Sequence, residues 1–197
     1  MNRDKDTPLL YAVHNGDSDS CKLLIDNGAD CCVCNRAGVT ITWEAAYTGH
    51  ASLLRYLIVH GNPPLSAPSR GLVYEYAGAH PPFIYDEEHT PLFVAIKRKR
   101  FDVAELLLDA GVMMCEERWC WNSNWSDEID YDDSRQVSLC SRLSRAMSEA
   151  PSLLHLARHG LRRHIGQRIL TVVPLLEIPQ TLRDYLAFRS LEMHINA

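Results

Sequence analysis

The sequence predicts an all-α architecture: a solenoid of helix pairs joined by hairpin loops, followed by a small helical module. Three observations predict it. Thr7, Thr40 and Thr90 each open a similar block, with alanine five residues later (Ala12, Ala45, Ala95) and glycine twenty-one later (Gly28, Gly61, Gly111). Between these landmarks lie apolar triplets, Leu23-Leu24-Ile25, Tyr56-Leu57-Ile58 and Leu106-Leu107-Leu108. The last quarter then carries Leu153, Ala157 and Leu161 at helical steps, and Leu176-Glu177-Ile178-Pro179 followed by Leu182, Tyr185 and Leu186.

Each element of the array has a local reason. A threonine hydroxyl caps a helix start, and Pro8 or Pro91 fits the first helical position, where no amide partner is lost. Ala12, Ala45 and Ala95 are small enough for paired helices to approach closely. Gly16 and Gly49 end the first helix of a pair, and Lys99 stands where the third block would carry that glycine. The second helix presents the apolar triplet, and Gly28, Gly61 and Gly111 are expected to supply left-handed stops. A lone helix pair cannot bury its apolar face, so stability comes from stacking on neighbours.

Thr7 to Thr40 is 33 residues, whereas Thr40 to Thr90 is 50, which places an insertion within about 62–89. Five of the ten prolines fall there (Pro63, Pro64, Pro68, Pro81, Pro82), a density that prevents a continuous helix. The segment reads as a long loop between repeats, and contact with a target is the open alternative. After Gly111 the pattern decays. Trp119, Trp121 and Trp125 precede an acidic run from Asp127 to Asp133, and Ser134–Met147 then reads as an amphipathic helix with Val137, Cys140, Leu143 and Met147 on one face. This stretch, 112–150, is expected to be a degenerate repeat or capping helix.

The 33-residue period, the Thr-Pro-Leu openings and the Gly49-His50 pair resemble ankyrin repeats, in three copies at about 5–34, 35–67 and 85–114 within 1–111. The histidine usual after Thr-Pro-Leu is Leu10, Trp43 or Phe93 here. From Ser152 on, Leu153, Leu156, Ala157, Leu161 and Ile165 form a stripe opposite Arg158, Arg162 and Arg163. This segment and the one from Leu176 resemble the two halves of a suppressor-of-cytokine-signalling (SOCS) box over 151–191. Array and box in this order are similar to the ankyrin-repeat and SOCS-box family.

What that resemblance implies is a non-catalytic, substrate-recognition subunit of a cullin–RING ubiquitin ligase. Leu153, Leu156, Ala157 and Leu161 would dock on Elongin B/C, with Ala157 where cysteine is commoner and Leu153 as the anchor of a helix-in-groove contact. Leu176, Ile178, Pro179, Leu182, Tyr185 and Leu186 would contact cullin-5, which brings its RING partner; Glu177 replaces a family proline and puts that step in question. The repeats would hold a protein target on their concave side, at hairpin residues Asn35, Arg36 and Ala37 and at first-helix ends His14, Asn15, Tyr47, Thr48, Lys97 and Arg98. Two rivals are a plain ankyrin scaffold or inhibitor whose C-terminal helices only cap the array, and a receptor that engages Elongin but not cullin. The first predicts that Leu153→Asp and Leu161→Asp unfold the protein and that no Elongin co-purifies.

The totals narrow little. At 197 residues, 46% hydrophobic and 23% charged, the chain has ordinary globular values and length for a real core. A net charge of -5 gives no basic footprint, which argues against a nucleic-acid or anionic-membrane binder. No run of apolar residues is long enough for a membrane span. The N-terminus lacks the apolar core of a signal peptide, and seven cysteines is an odd number, so reduced thiols in a cytosolic or nuclear protein are expected. Cys31, Cys32 and Cys34 with Cys115 and Cys120 lack the paired spacing of a zinc knuckle, and His155 with His159 lacks the glutamate of a zincin motif. No metal or cofactor is therefore expected. Lys97-Arg98-Lys99-Arg100 reads either as a solvated interhelix turn or as a nuclear-import cluster. With no phosphate loop, nucleophile elbow or paired-carboxylate motif, an enzyme is the poorest reading.

Overall fold

In a computed structural model, residues 5–67, 90–112, 133–149, 152–165 and 168–188 are described. Each repeat begins at a threonine whose own backbone is extended. The hydroxyls of Thr7, Thr40 and Thr90 accept from the amides of Leu10, Trp43 and Phe93 at 3.1, 3.2 and 3.3 Å. That satisfies one orphan donor at the start of each first helix. Three pairs follow: α1 (Pro8–Asn15) with α2 (Ser18–Asp26), α3 (Ile41–Thr48) with α4 (Ala51–His60), and α5 (Pro91–Lys97) with α6 (Phe101–Ala110). Along the array α1 packs on α3, α3 on α5 and α4 on α6. One apolar core runs through all three pairs, including Leu9, Val13, Trp43, Ala45, Leu57, Leu92, Ala95, Leu106 and Leu107.

The turns between paired helices follow expectation. Gly16 and Gly49 cap α1 and α3 with left-handed backbone, at φ of 70° and 89°. Lys99 takes the same region at φ 56° without being glycine, which costs about 1–2 kcal/mol. The outer-helix stops follow it in two repeats of three. Gly28 and Gly111 are left-handed, but Gly61 is not: its φ is -105°, and Asn62 turns left-handed one residue later at φ 50°. Gly61 is glycine for a different reason. A Cβ there would collide with the Cys31 sulfur and meet the Leu57 carbonyl at 3.0 Å. Burial pushes the Cys31 thiol up to about 12, so it is an inert core thiol.

An ion pair joins the first two repeats. His14 Nδ1 lies 2.6 Å from Oε1 of Glu44, whose side chain is almost fully buried. The hydrogen bond to Glu44 holds the His14 pKa above its ordinary 6.5, against the opposing effect of burial. A raised folded-state pKa stabilises fully below 6.5, and that contribution is lost as pH rises through the folded pKa. His14→Gln is therefore expected to cost more stability at pH 5.5 than at pH 8.5. Urea denaturation of both proteins at the two pH values measures it, and an equal cost would contradict it.

Beyond the third pair, α7 (Ser134–Ser148) packs on α6. Its buried residues are Gln136, Leu139 and Leu143, with Met147 partly covered. The expected face is corrected here: Val137 is exposed, because the face against α6 is centred on Leu139. Arg135–Asp102 and Arg142–Asp109 ion pairs fix the edges of this contact. The final module is α8 (Leu153–Ile165), α9 (Ile169–Val172), a 3-10 turn (Val173–Leu175) and α10 (Gln180–Leu186). Its own small core joins Ile169, Val173 and Leu186, with Ile165 and Ile178 against them. Among the described residues no helix is long and apolar enough to cross a membrane. Residues 68–89, Cys115, Trp119, Cys120, Trp121, Trp125, the acids at 127–132 and Pro151 lie outside the described residues.

Candidate functional site

Helix α8 has two faces, and both depart from the usual rule of apolar inside and charged outside. Leu153 is 83% exposed, with Leu156 at 43% and Leu161 at 37%; Ala157, on the same side, is exposed as well. Leu154 adds to this apolar surface. Arg158, from the charged side, is only 6% exposed. The four residues assigned to Elongin contact thus share one open face, and Arg158 and Arg162 turn inward while Arg163 stays exposed. Leu153 and Leu161 are not core residues of the array, as the capping alternative required.

The inward face is held by a cluster that sequence reasoning missed. Arg158 Nη2 donates to the Ala110 carbonyl, the last of α6, at 3.2 Å. Arg162 Nη2 donates to the Ile58 carbonyl in the last turn of α4, and its Nη1 to the Leu186 carbonyl that ends α10, each at 3.0 Å. Carbonyls at helix C-termini lack intrahelical partners and sit at the negative end of the macrodipole, so a cation is suited to them. Both guanidiniums lie over the Phe188 ring, Arg158 at 4.4 Å and Arg162 at 4.2 Å, while Arg158 also covers the Tyr185 ring at 4.2 Å. Burial lowers the pKa of both arginines, and at Arg162 the neighbouring Arg158 charge adds to it. No carboxylate among the described residues pairs with either. The compensation is charge-assisted hydrogen bonds, worth about 1.5–3 kcal/mol each, and desolvated cation–π contacts of about 2 kcal/mol.

His155 completes the seam. Its ring stands where a Cβ on Gly111 would be, and Gly111 is left-handed at φ 79°. Burial lowers the His155 pKa, with the Arg158 and His159 charges acting in the same direction. The pairing of His155 with His159 weighed from the sequence is thus a seam contact at one member. Among the described residues no three His, Cys, Asp or Glu side chains gather as metal ligands.

The residues assigned to cullin contact divide. Leu186 is buried and Ile178 packs on the same small core, so both hold the module together. Pro179 is exposed, while Leu176, Leu182 and Tyr185 are half-buried. Glu177 is exposed and its amide donates no hydrogen bond among the described residues. Leu176 ahead of it is extended, at φ -74° and ψ 135°, the conformation a following proline requires.

The residues assigned to target contact form a row along the first helices. His14 is tied to Glu44, and Thr48 donates to the Glu44 carbonyl at 2.8 Å. Tyr47 stacks on Trp43 at 5.3 Å, and Arg98 of the next repeat lies 3.8 Å over the Tyr47 ring. Asn15, Arg36 and Lys97 are exposed. Asn35 shapes the hairpin: its Oδ1 accepts from the Ala37 and Val39 amides, and its amide donates to Asp6 at 2.9 Å. Ala37 is buried.

Comparison with known families places both parts. A family model for ankyrin repeats matches residues 9–118, in three copies. A model for the SOCS box matches residues 149–187. No curated protein matches the chain.

Proposed function

Since the chain belongs to the ankyrin-repeat and SOCS-box family, whose members are substrate adaptors of Elongin–cullin ligases in general, we propose that it recruits Elongin B/C and cullin-5 through residues 153–186 while its repeats hold a protein target. The open face of α8 carries this reading. Leu153, Leu156, Ala157 and Leu161 leave an apolar stripe in water while Arg158 of the same helix is buried and Arg162 half-buried. A helix in that orientation suits insertion into a hydrophobic groove, with Leu153 as anchor. The concave row from His14 and Asn15 through Tyr47 and Thr48 to Lys97 and Arg98, with hairpin residues Asn35 and Arg36, is the proposed target surface. Transfer of ubiquitin then depends on proximity: the chain supplies no reacting group and raises the effective concentration of target lysines.

Cullin capture is the finer step, and Glu177 tests it. In a pull-down from chain co-expressed with Elongin B/C, wild type is expected to retain cullin-5. Glu177→Pro is expected to retain several-fold more, because Leu176 already has the backbone that proline needs and a charge leaves the contact. Elongin capture without cullin in both proteins would leave the Elongin-only receptor as the reading.

A further inference from the structure

The angle between array and box is built by directional contacts rather than by apolar packing alone. Arg158 and Arg162 reach carbonyls at the C-terminal ends of α6, α4 and α10, so one side-chain pair joins two repeats and the last helix of the box. A planar guanidinium donates along fixed directions, whereas leucine on leucine permits sliding. Phe188 locks the pair. It is 1% exposed, belongs to the apolar core of the array, and holds left-handed backbone at φ 56°, a conformation that a bulky residue keeps only when its surroundings enforce it. On the opposite side of α8 lies the open leucine face, so whatever fixes this seam also fixes where that face points.

Resting on the adaptor reading above, we propose that Arg158, Arg162 and Phe188 are positioning residues that hold the target-binding array at one fixed angle to the Elongin-binding face. In a proximity mechanism this angle decides which target lysines come within reach. The seam leaves Leu153 and Leu161 untouched, so loss of the angle and loss of Elongin binding are separable.

The test is a distance distribution by electron–electron double resonance. Genetically encoded spin labels replace two exposed residues, Asp19 on α2 and Glu177 in the box, and the full chain is measured alone and with Elongin B/C. Wild type is expected to give one narrow distance in both. Arg162→Met, which keeps the aliphatic stem but no donor, is expected to broaden it at least twofold while Elongin affinity stays within about twofold. A width unchanged in Arg162→Met, or a broad distribution in wild type, overturns the proposal. Should Arg162→Met lose its helical circular dichroism, Arg162→Lys retains the cation without the fork and carries the same expectation; a width like wild type in it also overturns the proposal. A narrow wild-type distance in a chain that captures no Elongin would refute the adaptor reading alone and support the angle-setting role.

Discussion

Leu153→Asp is expected to abolish capture of Elongin B/C and leave the chain folded. Leu153 is the first residue of α8 and is 83% exposed, so its replacement removes almost no packing. A carboxylate in the first turn of a helix is favourable toward the macrodipole, so stability should move by no more than about 0.5 kcal/mol. Binding responds differently. Removing a leucine that becomes buried in a groove costs about 2–5 kcal/mol by analogy with core truncations, and an unpaired carboxylate in its place adds to that. At about 1.4 kcal/mol per decade, affinity falls roughly 30-fold to several thousand-fold. Titration calorimetry against Elongin B/C, with a melting curve of each protein alone, measures both quantities. A variant that unfolds would show that Leu153 belongs to the core, and a variant that binds like wild type would show that the partner contacts another face.

Trp43→Ala is expected to carry the largest effect on stability. Trp43 occupies the position after Thr40-Ile41-Thr42, is 2% exposed, and stacks on Tyr47 at an interplanar angle of 14°. Its truncation costs about 3–5 kcal/mol, against a total of about 5–15 kcal/mol for a typical domain. The middle repeat couples its neighbours, so the loss is felt in both interfaces. Trp43→Phe should be far milder, at about 1–2 kcal/mol. The indole Nε1 is buried with no hydrogen-bond partner among the described residues, and phenylalanine removes that unsatisfied donor along with some volume. Urea denaturation of the two variants separates these costs; equal losses would show that the indole nitrogen finds a partner.

The repeat starts were legible because their chemistry is local. A threonine and an alanine within six residues specify cap and close approach, with a proline in the first turn of two copies, and all three starts formed as read. Where a feature depends on what lies across the fold, the pattern ran out. Gly61 looks like its counterparts Gly28 and Gly111, yet the left-handed turn falls on Asn62, and what calls for glycine at 61 is the Cys31 sulfur beside it. In α7 two stripes share Leu143 and Met147, so helical spacing alone did not separate Val137 from Leu139.

The box shows the same division. Its outward stripe was readable from Leu153, Leu156, Ala157 and Leu161, because apolar spacing marks a face whether or not a partner is present. The inward seam was not. Charge ordinarily marks exposure, and helical spacing places Arg158 and Arg162 only on the side opposite the apolar stripe. Their partners are backbone carbonyls 48 and 104 residues away, which carry no side-chain signature. Phe188 falls two residues past Leu186, just beyond the motif that drew attention to the segment.

The central claim is that α8 turns its leucines outward for Elongin while Arg158 and Arg162 bind the array. Reconstitution of the wild-type chain with purified Elongin B/C, followed by size-exclusion chromatography and hydrogen exchange, tests it most directly. A stable complex is predicted, in which Leu153–Leu161 gain protection and α1–α6 exchange as in the free chain. A chain that elutes apart from Elongin B/C, or a complex that protects the repeats and leaves Leu153–Leu161 unchanged, would contradict it.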